Sequence, residues 1–204
     1  MKINAPKIKY TENSTFEKYV FNEVTIEENA KEPIVLDDIT IDSVIFKKID
    51  FTNITFKDVD LLDVVFDSCD LSNKCFDNRS INRVEFKNSK LTGSTFIKAA
   101  LKDVLIDNCT VRYANFADTK MNNVSIKDSD LSESYFLETD IKNMELDNTR
   151  LCKCEFYNTS LKGLDLSTCD ISSIMTDLSS IRGVTINRFD SHELVRLLGV
   201  KFKE

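Results

Sequence analysis

Residues 89–136 read SKLTGSTFIKAALKDVLIDNCTVRYANFADTKMNNVSIKDSDLSESYF. Every fifth residue in this stretch is large and apolar: Leu91, Phe96, Leu101, Ile106, Val111, Phe116, Met121, Ile126, Leu131 and Phe136. The same count carries outward, back to Phe16 and on to Ile171. Only Lys31 breaks the series, and from Leu36 onward nothing is inserted or deleted. With 42% hydrophobic residues overall, chance would fill fewer than half of these positions.

A five-residue period suits neither ordinary element. On an α-helix, steps of about 100° scatter such residues around the axis. On a strand, an odd step sends successive residues to opposite faces. The chain must therefore turn a corner every five residues. Four corners close a square coil, and every apolar centre points into one shaft. The count predicts about eight coils. At about 4.8 Å per coil, the rod is on the order of 38 Å long.

Two further positions agree. Two residues before each centre lie small or β-branched residues, such as Val64, Cys69, Ser94, Thr119 and Val124. They fit a narrow inner edge and an extended backbone. Two residues after each centre, Asn, Asp and Gly are frequent, and Asn and Gly tolerate the positive φ of a type II turn. Type II turns are thus expected at Asn53, Asn73, Asn88, Gly93, Asn108, Asn143 and Gly163. Other turn types are expected at Lys48, Arg83, Tyr113 and Lys153.

Composition narrows the function classes. The 204 residues include 14 Phe, no Trp, 4 Gly and one His. Of the phenylalanines, only Phe189 and Phe202 lie off the five-residue lattice. A flat ring can stack on the ring of the next coil, where an indole is too bulky. Scarce glycine disfavours phosphate loops, and one histidine disfavours most zinc and triad chemistry. With 30% charged residues and no apolar run near a membrane-span length, a soluble chain is expected. No secretory h-region is visible from Met1 to Tyr10, so a cytoplasmic location is expected. The net charge of −7 argues against direct nucleic-acid binding.

The repeats carry a family resemblance. Cys69-Asp70-Leu71-Ser72-Asn73, Ala114-Asn115-Phe116-Ala117-Asp118 and Ser129-Asp130-Leu131-Ser132-Glu133 resemble the A(D/N)LXX unit of pentapeptide-repeat proteins. The resemblance implies an all-β fold, a right-handed quadrilateral β-helix over residues 14–186. Residues 1–13 are read as a frayed tail or a covering strand. Glu27 to Pro33 interrupts the lattice, so a looped coil is expected there.

At residues 187–204 a short α-helix is expected. Ser191 is a plausible N-cap and Gly199 a plausible C-cap, with Leu194, Leu197 and Leu198 on one side. So short a helix must pack on something. Ile181-Arg182-Gly183-Val184 and Leu194-Val195-Arg196-Leu197-Leu198-Gly199-Val200 resemble the closing segment of Qnr-type quinolone-resistance pentapeptide proteins. Cys69-Asp70-Leu71-Ser72 and Tyr113-Ala114-Asn115-Phe116 also resemble stretches of that group. The resemblance implies a homodimer through the C-terminus, with Leu194, Val195, Leu197, Leu198, Val200 and Phe202 at the interface. It also implies a rod that mimics B-DNA and binds DNA gyrase or topoisomerase IV, with fluoroquinolone protection. Several members of the group carry two loops that bulge from the coil. The unbroken register from Leu36 to Ile171 has no room for them, which leaves an interaction scaffold for another protein as the alternative.

Residues one coil apart stack on one face. One face carries Asp67, Glu85, Asp107, Asp128, Glu145, Asp147 and Asp165 against Lys87 and Lys127, and this is the expected acidic partner-binding side. The column Asp67, Lys87, Asp107, Lys127, Asp147 alternates in sign, which suits cross-coil pairing or a solvated surface. The neighbouring face is mixed, with Arg83, Lys102, Lys120, Lys142 and Lys162 against Asp60, Asp63, Asp103 and Asp140. The six cysteines have no zinc spacing, and Cys69, Cys109, Cys154 and Cys169 read as buried thiols. Lys74 and Arg79 occupy inward positions, and are expected to snorkel to solvent or to mark a binding notch. His192 reads as structural. No catalytic residue, cofactor or metal site is expected, and no enzyme.

Overall fold

The computed structural model describes residues 1–8, 11–16 and 21–201. One parallel sheet runs in sequence order: β1 (Glu12–Ser14), β2 (Val24–Ile26), β3 (Ile34–Lys47), β4 (Ile54–Asp67), β5 (Ser80–Lys87), β6 (Ala100–Asp107), β7 (Lys120–Lys127) and β8 (Asp140–Asp147). From β2 to β8 each strand pairs with the residue one coil on: Phe46 with Phe66, Phe66 with Phe86, Phe86 with Ile106. This is the four-sided parallel β-helix that the five-residue period predicts.

The four sides are not built alike. Strands β5 to β8 each bend through one corner without breaking their ladder, and the longer β4 bends through two. The two opposite sides carry only single bridges, such as Lys90 to Thr110 and Thr95 to Asn115. Their corners are closed by turns in which the fourth N–H bonds the first carbonyl, as Ala114 to Val111 and Thr119 to Phe116.

That asymmetry explains the inner residue types. Along the continuous strands the inner column is Val64, Val84, Val104 and Val124, because the ladder leaves few backbone groups over. At the other corners the inner residues are often hydroxyls and thiols that finish the backbone bonding. Ser94 Oγ donates to the Leu71 carbonyl at 2.7 Å, and Thr119 Oγ1 to Phe96 at 2.6 Å. The amides of Cys69 and Cys109 donate to Ser89 Oγ and Ser129 Oγ, each at 3.0 Å. Burial pushes the Cys69 and Cys154 thiols up to about 12 and that of Cys109 up to about 11, so these sulfurs stay protonated. Cys75 is exposed and Cys152 half-buried.

The shaft is filled by stacked rings. Phe76, Phe96, Phe116, Phe136 and Phe156 form one column with centroids 4.7–4.9 Å apart and planes within 16°. Phe46, Phe66 and Phe86 form a second column. The coil spacing thus sets the ring spacing, which is why phenylalanine recurs at every twentieth residue.

The turn expectations hold at Asn73, Gly93 and Gly163, where φ is positive and the N–H of Lys74, Ser94 and Leu164 closes the turn, and fail at several other corners. Every fifth residue from Ser43 to Ser173 has positive φ, except Asn53 and Thr168. Lys48, Arg83, Tyr113 and Lys153 are included, with φ of 53–60°, although none of them favours that region. Asn53, which does favour it, is not in it. Lattice closure therefore overrides residue preference. Each unfavourable residue costs about 1–2 kcal/mol, offset by the ladders on either side. Asn88 and Asn108 have positive φ, but the amides that would close their turns are taken up elsewhere: Ser89 donates to Cys109 Sγ, and Cys109 to Ser129 Oγ.

The ends depart from the lattice. The expected eight coils come out as about six turns. At the N-terminal end, β1 pairs with β2 at an offset of only twelve residues, Glu12 opposite Val24, so no full coil fits between them. Phe16 instead turns in as a plug, 2% exposed, with its ring 5.9 Å from Phe46 and 6.1 Å from Phe51. At the other end the register slips by one residue, and Ser180 accepts the Thr159 amide in place of Ser179. The Asp177 carboxylate gathers that slip, accepting from the amides of Asn158, Ser179 and Ser180. Hydrogen bonds led by Ser179 hold its pKa well below the usual carboxylate range.

Candidate interaction surfaces

Three surfaces concern function: the carboxylate side, the C-terminal segment and the N-terminal segment.

The strand register places Asp67, Lys87, Asp107, Lys127 and Asp147 one above another, as the sequence indicates. The lysines do not bond along that column. Lys87 pairs with Glu85 of its own strand at 2.6 Å, and Lys127 lies 3.9 Å from Glu145. Asp67 is held by Asn88 at 2.9 Å and by Ser68 at 3.0 Å, and Asp165 by the Ser167 amide at 2.9 Å. The Asn88 and Ser167 bonds keep those two carboxyls below their usual pKa. Asn148 bonds Asp128 and Thr168 bonds Asp147. Asp128, Asp147 and Asp165 are exposed, while Asp67, Glu85, Asp107 and Glu145 are half-buried.

The inward cations do not enter the shaft. Lys74 Nζ donates to the Ile54 carbonyl at 2.8 Å, doing for that corner what hydroxyls do elsewhere. Burial lowers its pKa. Arg79 reaches Asp58 at 3.1 Å.

At the C-terminal end, a 3-10 turn (Arg188–Asp190) leads into α1 (Ser191–Val195) and a second 3-10 turn (Arg196–Leu198). Ser191 is the first helical residue and not the cap. The side-chain cap is Asn187, which accepts the Phe189 amide at 3.0 Å. Gly199 ends the segment in the left-handed region at φ 75°, as expected. Leu194 is partly buried against the core, as are Ile181, Val184 and Ile186. Val195 and Leu197 are half-buried. Leu198 is 64% and Val200 45% exposed, and Phe189 is 75% exposed. Phe202 lies outside the described residues.

For residues 1–13 the sequence leaves a frayed tail or a covering strand, and Glu12 and Asn13 do pair with β2 as part of β1. Residues 1–8 cover, but not as a strand. They run along the rod axis, across the strands. The Met1 ammonium lies 3.5 Å from Glu145. The Asn4 amide and its side-chain Nδ2 both donate to Asp103 Oδ1, at 3.2 and 3.1 Å. The Lys7 amide donates to Asp63 Oδ1 at 2.7 Å. Beneath lie the outward residues of the strand face, among them Ile45, Val65, Glu85 and Leu105. Asp63 is 5% and Asp103 3% exposed. Burial raises both carboxyl pKa values, and the hydrogen bonds outweigh it, led by Arg83 at Asp63 and by Asn4 at Asp103. Sequence reading assigned both aspartates to a mixed face. Their spacing two coils apart was the available signal.

The comparisons agree with this geometry. The family model "Pentapeptide repeat region" matches residues 59–136, and "Pentapeptide repeats (8 copies)" matches residues 134–172. The chain belongs to the pentapeptide-repeat family. Among solved structures, a trypsin-treated form of QnrB1, a plasmid-mediated fluoroquinolone resistance protein, is similar at TM-score 0.57 and 18% identity, over 89% of each chain. Full-length QnrB1 gives TM-score 0.50 and 19% identity, over 88% of this chain and 89% of that one. HetL, from the cyanobacterium Nostoc, gives TM-score 0.30 and 12% identity, over 82% of this chain and 89% of that one. No curated protein matches at the sequence level. Among the described residues, no helix is long and apolar enough to cross a membrane.

Proposed function

We propose that this chain is a non-catalytic binding rod that occupies the positively charged DNA groove of a type II topoisomerase, DNA gyrase or topoisomerase IV. The observation that carries this reading is the row of carboxylates along one side of a narrow rod. Asp67, Asp107 and Asp147 recur every second coil, about 9.6 Å apart. Fixed charges on a rigid frame present a potential to a basic groove as phosphates do. The likeness to a fluoroquinolone resistance protein supports the choice of partner. Binding is expected to be competed by duplex DNA. With gyrase immobilised, added duplex should displace the chain, and Asp107→Lys with Asp147→Lys should weaken binding by about tenfold or more. Binding indifferent to duplex DNA would remove the mimicry reading.

The rod pairs with a second copy through its C-terminal segment. The exposed Leu198 and Val200, beside a helix too short to stand alone, support this. Sedimentation of a chain ending before Ser191 should report a monomer, and continued dimerisation would place the interface elsewhere.

One observation favours a second reading, a scaffold for a different protein. Lys87 and Lys127 stand between the aspartates and pair with Glu85 and Glu145, which tempers the negative side. A pull-down that yields no topoisomerase subunit, with gyrase binding absent, selects this alternative.

A further inference from the structure

The N-terminal segment meets the coil on a repeat of its own. Met1, Asn4 and Lys7 are three residues apart, about 10 Å in extended chain. Their acceptors Glu145, Asp103 and Asp63 are about two coils apart, about 9.6 Å. The two spacings match, so an extended chain laid along the axis meets a carboxylate at every third residue.

The acceptors are built into the corner and do not depend on the segment for their placement. In the column Asp63, Arg83, Asp103, Asn123, each aspartate is propped by the residue one coil on. Arg83 grips both oxygens of Asp63 at 2.6 Å, and Asn123 Nδ2 donates to Asp103 at 2.8 Å. Acceptor and prop alternate, which sets the two-coil interval. The floor is mixed: Ile45, Val65 and Leu105 face out of the strand face, with Glu85 and Ser125 between them along the same column.

The cover is held lightly. Residues 1–8 form no strand, and their described backbone donors go to carboxylates and not to a ladder. Ile3, Pro6 and Ile8 are only half-buried, and Lys2 and Lys7 are exposed. A segment so held opens at low cost while the coil stays intact.

We propose that this groove is a docking surface for an extended, positively charged protein tail, and that residues 1–8 are the cis occupant which such a tail displaces. The tail that fits has an amine toward Glu145, free backbone N–H groups at every third residue, and small apolar side chains between them. The mode differs from strand addition, because the peptide lies across the strands and its amides are read by side chains. The surface does not depend on a topoisomerase as partner.

The probe is a synthetic peptide of residues 1–8 with a fluorophore at its C-terminus and its α-amine free. The receptor is the full chain carrying Asn4→Pro and Lys7→Pro, which deletes three cis donors (the Asn4 and Lys7 amides and Asn4 Nδ2) and alters no coil residue. Fluorescence anisotropy should show the peptide binding the variant at least tenfold more tightly than wild type. N-methylation of the peptide at its fourth and seventh residues should weaken binding by about tenfold or more, since a hydrogen bond to a charged group is lost at each. Equal binding to both chains, no binding to either, or indifference to N-methylation overturns the proposal. A second measurement needs no variant. In the wild-type chain the Asn4 and Lys7 amides should exchange hydrogen at least a hundredfold faster than the Val104 amide. Exchange as slow as that of the coil would make the segment a permanent part of the wall and also overturn the proposal.

Discussion

Phe116→Ala should be among the most damaging single substitutions in the chain, costing about 3–5 kcal/mol. Phe116 is fully buried, with Phe96 and Phe136 each 4.9 Å away and near parallel. Removing the ring leaves a void in the stacked column. Its neighbours are fixed to their own coils by the ladder and cannot close in. In a solenoid the loss also weakens both interfaces of that coil, because each repeat is held by its two neighbours. Urea unfolding followed by circular dichroism measures this. Phe189→Ala is the internal control. That ring is 75% exposed, and its removal should cost less than about 0.5 kcal/mol. A Phe116 variant within about 1 kcal/mol of wild type would mean the stacked column is not what holds the rod.

Asp63→Asn should have the second large effect, about 1.5–3 kcal/mol, with a characteristic pH dependence. Asp63 is 5% exposed, and Arg83 binds both of its carboxylate oxygens. The amide cannot take both guanidinium bonds as a charged acceptor, and Arg83 loses its counter-charge. Burial raises the Asp63 pKa, but Arg83 and the Lys7 amide outweigh it, so the folded value lies below the unfolded one. Its stabilisation is therefore complete above the unfolded pKa of about 4 and fades as pH falls through the lower folded value. The gap between wild type and variant should be constant near neutrality and shrink below about pH 4. A gap that widened on acidification would contradict the assignment.

Much of this was legible in the sequence because the lattice is local and uninterrupted. The period names the centres, the inner column and the coil length, and the ladder from Ile34 to Asp147 follows it residue for residue. What escaped was non-local or imposed. The contacts of Asn4 and Lys7 span 99 and 56 residues, and the segment that carries them has no period. Nothing in it distinguishes a groove occupant from a loose tail. Lys48, Arg83, Tyr113 and Lys153 were misjudged because closing the square fixes their φ, and local preference is too weak to resist. The first coil was overcounted because Phe16 and Phe21 sit on the sequence lattice, while β1 pairs only twelve residues on. The hydroxyls of the inner column were read as merely small. Their bonds to backbone carbonyls follow from which sides carry full strands, and the period does not encode that.

The positions of the acidic residues were legible, and their pairing was not. Alternating signs in the Asp67 to Asp147 column suggested bonding along the column. The lysines instead choose Glu85 and Glu145, two positions to the side. This leaves Asp107 and Asp147 in line along the rod, with Asp128 and Asp165 exposed beside them.

The most direct test of the central claim is a gyrase supercoiling assay with purified chain, run with and without a fluoroquinolone. A rod that enters the DNA groove should slow supercoiling in a dose-dependent way at micromolar concentration, or restore it when the drug is present. Asp107→Lys with Asp147→Lys should lose that effect while keeping the wild-type fold. Supercoiling unchanged at micromolar protein, both with the drug and without it, would contradict the account.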